Sequence, residues 1–119
     1  MKSVEEMDVF KLAHRLTVEV YRVTRAFPKE EIYGLTAQMR RAATSVPANV
    51  VEGANRTSRA EYRSFVGIAK GSAGEVRYYL LLARDLEYLP SSEGERLRGE
   101  YARVIQMLTN LVKSLGTNR

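Results

Sequence analysis

Leu97-Arg98-Gly99-Glu100-Tyr101-Ala102-Arg103-Val104-Ile105-Gln106-Met107-Leu108-Thr109-Asn110-Leu111-Val112-Lys113-Ser114-Leu115 is the stretch that decides the fold. Leu97, Tyr101, Val104, Leu108, Leu111 and Leu115 follow one another at intervals of 4, 3, 4, 3 and 4. That alternation keeps the apolar side chains on one side of a helix, a heptad seam that needs a partner to bury it. Ile105 and Val112 widen the seam. The spacing predicts a helix from about Ser92 to Leu115, ending at Gly116.

Working back from this seam, the same periodicity occurs three more times, and no segment alternates apolar and polar residues over a convincing strand length. Val9, Leu12, Ala13, Leu16, Val20, Val23 and Phe27 form one stripe of a first helix, about Asp8 to Ala26, with Asp8 as N-cap and Phe27-Pro28 as its stop. Leu35, Met39, Ala42, Ala43, Val46 and Val50 form the stripe of a second, which starts between Glu30 and Leu35 and ends near Glu52. Pro47 is expected to kink or break it near Thr44, and Gly53 to stop it. The third helix, about Ser58 to Tyr88, opens on a capping box of Thr57 or Ser58 with Glu61. Tyr62, Phe65, Val66, Ala69, Ser72, Ala73, Val76, Tyr79, Leu80, Ala83 and Leu86 make its stripe. Gly67, Gly71 and Gly74 each cost about 1 kcal/mol relative to Ala in a helix, so they are read as sites of close approach by a neighbouring helix. Short connections predict neighbours that run antiparallel. The expected fold is all-α: one domain over residues 1–119, an up-down-up-down four-helix bundle.

Composition bounds the function. The 119 residues are 45% hydrophobic and 28% charged, ordinary for a globular protein. No cysteine is present, which excludes disulfides, thiolate metal sites and cysteine nucleophiles. No apolar run approaches the roughly 20 residues of a membrane span. The segment Met1-Lys2-Ser3-Val4-Glu5-Glu6 lacks the apolar core of a signal peptide, so a cytoplasmic location is expected. Net charge is +5, carried mostly by arginine, whose planar fork suits phosphate. Such an excess permits nucleic-acid or acidic-protein partners.

Catalytic groups are scarce. His14 is the sole histidine, one position off the core stripe, and reads as a surface or interfacial side chain. Asp85 and Glu87 lie on different faces. No Glu-x-x-His pair of the di-iron bundle type occurs. No enzymatic activity, cofactor or metal is expected.

Two constellations remain. Gln38, Arg41, Ser45, Asn49 and Glu52 share one face of the second helix, opposite Ser72 and Glu75 of the third. They read as a structural polar network, with a solvated face or a ligand site as alternatives. Arg56, Arg63, Lys70, Arg77 and Arg84 recur every seven residues, with Arg59 one turn from Arg63. On a helix this is a cationic stripe about 30 Å long. It could follow a phosphate backbone, with Tyr78 adding stacking, or it could be a solvated flank that pairs with acids on the first or fourth helix.

The stretch Phe27-Pro28-Lys29-Glu30-Glu31-Ile32-Tyr33-Gly34-Leu35-Thr36-Ala37-Gln38-Met39-Arg40-Arg41-Ala42-Ala43 resembles the opening signature of the bacterial four-helix-bundle family known from 23S rRNA intervening sequences. The likeness continues through Ser45 to Gly53, then Arg56, Ser58, Glu61-Tyr62, Phe65, Ile68 to Ser72, and Glu75. Val46, Val50 and Val51 stand where that family usually has Ile, Ile and Ala. The resemblance implies a ring-like homopentamer without known enzymatic activity. It also implies kinship with the accessory variability proteins of diversity-generating retroelements, basic pentamers that bind nucleic acid and a reverse transcriptase.

The leading expectation is therefore a non-catalytic homo-oligomer whose arginine-rich surface binds RNA or DNA. The alternatives are an accessory protein of a retroelement reverse transcriptase and an interaction scaffold without a nucleic-acid role.

Overall fold

The computed structural model describes residues 3–116 and contains four long helices. They are α1 (Asp8–Thr24), α2 (Leu35–Ala54), α3 (Arg59–Asp85) and α4 (Ser91–Gly116). Short 3-10 turns, Val4–Glu6 and Lys29–Glu31, precede α1 and α2. No strand occurs among the described residues. No helix there is long and apolar enough to cross a membrane.

Each stripe supplies one wall of a single core. Leu16, Met39, Val46, Leu80, Leu97 and Leu108 are fully buried, and each such burial contributes about 1.5–3 kcal/mol. The start of α3 lies against the end of α4, where Arg59 reaches Ser114. The end of α3 lies against the start of α4, where Arg84 pairs with Glu95. Across α2 and α3, Gln38 meets Tyr79 and Ser45 meets Ser72. The α1–α2 and α3–α4 connections meet at one end. There Phe27 packs on Tyr88 with ring centroids 5.4 Å apart, and the Tyr88 hydroxyl donates to Glu31 at 2.8 Å.

Several local expectations are corrected. Pro47 does not break α2, which runs on through it from Leu35 to Ala54. A proline lacks the N–H that would bond the carbonyl four residues back, here Ala43. The Thr17 hydroxyl on α1 lies 3.1 Å from that carbonyl oxygen and 2.8 Å from the Ala13 carbonyl, and donates to both. A neighbouring helix thus satisfies the orphan acceptor.

The glycines exchange roles. Gly53 does not end α2 but is buried within its last turn, and a Cβ there would sit 2.9 Å from Phe65 Cβ and from Tyr62 Cδ1. It is where α2 and α3 approach closely. Gly67, Gly71 and Gly74, expected at such a contact, face open space, with nothing within 4 Å of an added Cβ. Their helical phase explains this: 100° per residue places them opposite the buried Val66, Ala69, Ala73 and Val76.

Helix α1 ends at Thr24, before Phe27-Pro28, and Met7 rather than Asp8 is its N-cap. Helix α3 ends at Asp85, short of Tyr88. Its exit is a Schellman turn: the Tyr88 N–H bonds Ala83 O at 2.8 Å and the Glu87 N–H bonds Arg84 O at 2.9 Å. Glu87 takes the left-handed position, φ 64°, that glycine usually fills. Leu86, placed in the core by periodicity, is 45% exposed beside it. At the other end the Ser58 hydroxyl accepts from the Glu61 N–H at 3.1 Å, as the capping box predicts.

Candidate nucleic-acid interface

The seam between α3 and α4 places most of the predicted cationic stripe. Helix phase sets Arg63, Lys70, Arg77 and Arg84 along the α4 side of α3, just beyond the core. Arg59 Nη2 donates to Ser114 O at 2.7 Å, and Arg63 Nη1 to Leu115 O at 3.3 Å. Both meet the C-terminal turn of α4, where unpaired carbonyls and the helix dipole favour a cation. Further along, Arg77 Nε donates to Arg98 O at 3.0 Å while Arg98 Nε returns to Arg77 O at 3.3 Å. The two guanidinium groups clasp each other's backbone across the seam.

These bonds fix side chains without neutralising them. Arg59, Arg63, Lys70 and Arg77 have no carboxylate partner among the described residues, and Lys70 is exposed with no bonded partner. Arg84 differs. Its hydrogen bond to Asp85, backed by the charges of Asp85 and Glu95, raises its pKa further above the ordinary arginine value. Arg56 lies outside α3, in the α2–α3 connection. It pairs with Glu52 at 2.9 Å and covers the Phe65 ring at 4.8 Å. The helical stripe of uncompensated charge is thus shorter than the heptad spacing predicts, running from Arg59 to Arg77.

The polar set on α2 and α3 is also brought together. Gln38, Arg41, Ser45, Ser72 and Glu75 line one groove of about 250 Å³, with Ala42 and Tyr79. At its floor the Ser45 and Ser72 hydroxyls bond at 2.8 Å, and Asn49 Nδ2 donates to Ser45 Oγ at 2.8 Å. Tyr79 Oη donates to Gln38 Oε1 at 3.0 Å. Glu52 stands apart, half-exposed and paired with Arg56.

His14 is exposed on α1 and stacks on Phe10. Among the described residues no three His, Asp or Glu side chains gather where they could hold a metal ion. The reading from sequence missed Arg98, whose contact depends on the α3–α4 register. It also missed Lys11, Arg22 and Arg25 on the outer face of α1, which a count of charges by helical phase would have found.

Fold and seam together define an all-α, four-helix protein with a cationic helix edge. Residues 5–110 match the family model of the 23S rRNA-intervening sequence protein, and the chain belongs to that family. Its fold is similar to the crystal structure of a protein of unknown function from the S23 ribosomal protein family of Bacteroides thetaiotaomicron VPI-5482. The TM-score is 0.81 at 24% identity, covering 88% of this chain and 95% of that one. No curated protein matches the sequence.

Proposed function

We propose that this chain is a non-catalytic, cytoplasmic, homo-oligomeric protein that binds RNA or DNA through the cationic edge of α3. The observation that carries the reading is the row Arg59, Arg63, Lys70 and Arg77, which holds four uncompensated charges along one seam, three of them anchored by backbone carbonyls. Anchored guanidinium groups lose less freedom when they meet phosphate, so more of the electrostatic attraction is left as affinity. The family's association with 23S rRNA intervening sequences is in keeping with a nucleic-acid partner.

Two surface features favour self-association, which we read as a ring-like homopentamer of antiparallel bundles. Tyr33 is 94% exposed in the α1–α2 connection, and the glycine face of α3 is open to another helix. Repetition around a ring would multiply an edge that is only moderately basic in one copy.

Fluorescence anisotropy with a labelled RNA hairpin, between about 50 mM and 200 mM salt, tests the reading. Lys70→Glu is the cleanest probe because Lys70 bonds nothing among the described residues. Binding should weaken, with the salt slope reduced by about one for the lost phosphate contact. Absence of binding at low salt, or an affinity indifferent to Lys70→Glu and Arg77→Glu, would sink it. Light scattering checks assembly, and a monomer at micromolar concentration counts against the ring.

A further inference from the structure

Opposite its buried stripe, α1 turns outward a face that the α3 edge does not use. Phe10, His14, Val18 and Tyr21 follow one another along it, with Lys11, Arg22 and Arg25 beside them. All but the half-buried Phe10 are exposed. Lys11, Arg22 and Arg25 make no side-chain hydrogen bond or ion pair among the described residues. Two acids of the α1–α4 side are already engaged, while Asp8, one turn before Lys11, has no ion pair among the described residues. Glu19 is held by Arg15 and Arg96, and Glu100 by Arg15 at 3.6 Å and Arg103 at 3.9 Å.

The rings are arranged for stacking. Phe10 and His14 lie parallel within 1°, centroids 6.0 Å apart, an offset pair of flat rings. Tyr21 carries the Arg40 guanidinium over its ring at 4.7 Å and is still 41% exposed. A cavity lies at each end of the face. One, about 350 Å³ between α1 and α4, is lined by Lys11, Arg15 and Arg103 together with Asp8. The other, about 300 Å³, sets Arg25, Lys29 and Arg40 around an apolar floor of Phe27, Pro28 and Ile32.

We propose that this face is a second track that takes an extended single strand of nucleic acid. The phosphates follow Lys11, Arg22 and Arg25. Bases stack on the Phe10–His14 pair and on Tyr21, and the apolar-floored cavity beyond Arg25 receives one base. Charge complementarity selects a polyanion, and open ring faces between the cations select unpaired bases, since a duplex hides its bases from stacking. The inference rests on the nucleic-acid reading above and adds to the α3 edge a separate track on α1 for an unpaired strand.

The test is fluorescence anisotropy at about 50 mM salt with a labelled oligothymidine and a duplex of equal length. The variants are the triple Lys11→Glu/Arg22→Glu/Arg25→Glu, the pair His14→Ala/Tyr21→Ala, and Lys70→Glu. Circular dichroism confirms folding, which these exposed positions should not disturb. The triple variant should weaken oligothymidine binding at least about tenfold, and the ring pair about tenfold with the duplex unchanged. If the triple variant binds oligothymidine as the parent does while Lys70→Glu does not, the strand runs on α3. This inference then fails and the nucleic-acid reading stands. Equal competition by poly-glutamate at matched charge would mean an acidic polypeptide instead, and overturns it. Failure of the parent to bind either nucleic acid overturns both.

Discussion

Replacing Thr17 by valine changes almost nothing in shape and removes the hydroxyl that serves both Ala43 O beside Pro47 and Ala13 O on its own helix. Ala43 O is left without its intrahelical donor by Pro47 and accepts from Thr17 Oγ1 at 3.1 Å. Thr17 is 8% exposed and Ala43 is fully buried, so water is a poor substitute. An unsatisfied buried acceptor costs about 1–3 kcal/mol, partly offset because the threonine hydroxyl no longer needs burying. A net loss of roughly 1–2 kcal/mol is expected, a melting-temperature drop of about 4 °C per kcal/mol at this size. The sharper measurement is a double-mutant cycle with Pro47→Ala, followed by urea unfolding and far-ultraviolet circular dichroism. In the alanine background residue 47 regains an N–H and bonds Ala43 O itself. Thr17→Val should then cost less than half as much, a coupling of about 1 kcal/mol. Protein concentration must be held constant, because any oligomer stabilises by mass action. Equal cost in the two backgrounds would refute the account.

Other expectations follow from the same geometry. Gly53→Ala forces a Cβ to 2.9 Å from Phe65 and Tyr62 and should destabilise by about 1–3 kcal/mol in urea, despite alanine's better helix propensity. Gly71→Ala meets nothing among the described residues, so the isolated bundle should gain up to about 1 kcal/mol. If a second copy packs on that face, light scattering should show weaker assembly at the same time. Glu87→Gly relieves a left-handed backbone, φ 64°, and should raise stability by about 1 kcal/mol in the same assay. The Leu35 N–H and then the Tyr88 hydroxyl, both bonding the Glu31 carboxylate, lower its pKa below the ordinary 4.5. The folded protein therefore binds this proton less readily than the unfolded chain does. Its stabilisation is complete above about pH 4.5 and is lost as pH falls through the depressed value. Melting scans from neutral to acid pH should show a shallower acid decline in Glu31→Gln, and an unchanged slope would contradict this.

Much of the fold is legible because burial in a helix follows phase, and phase is written in residue spacing. The α4 seam is the plain case: Leu97, Tyr101, Val104, Leu108 and Leu115 are all buried. The Ser58 cap was equally local, since its partner lies three residues away. Gly67, Gly71 and Gly74 meet no other helix of the same bundle, because their phase turns them away from its core and a cost in propensity does not by itself locate a partner. The candidate site was half legible. Heptad spacing identified Arg63, Lys70, Arg77 and Arg84, and face-sharing identified Gln38, Arg41, Ser45, Ser72 and Glu75.

Through the periodicity of its own apolar residues the chain determines four helices, their inward faces and a basic surface. Tertiary structure alone decides what each polar group does there, because a hydrogen bond needs a partner within about 3 Å and that partner is usually on another helix. Arg77 is anchored because Arg98 comes opposite it, while Arg84 is neutralised because Glu95 does. Ala43 O keeps a donor despite Pro47 because Thr17 lies across from it. Identical residue types at identical spacing along α3 thereby acquire different charges to offer a partner.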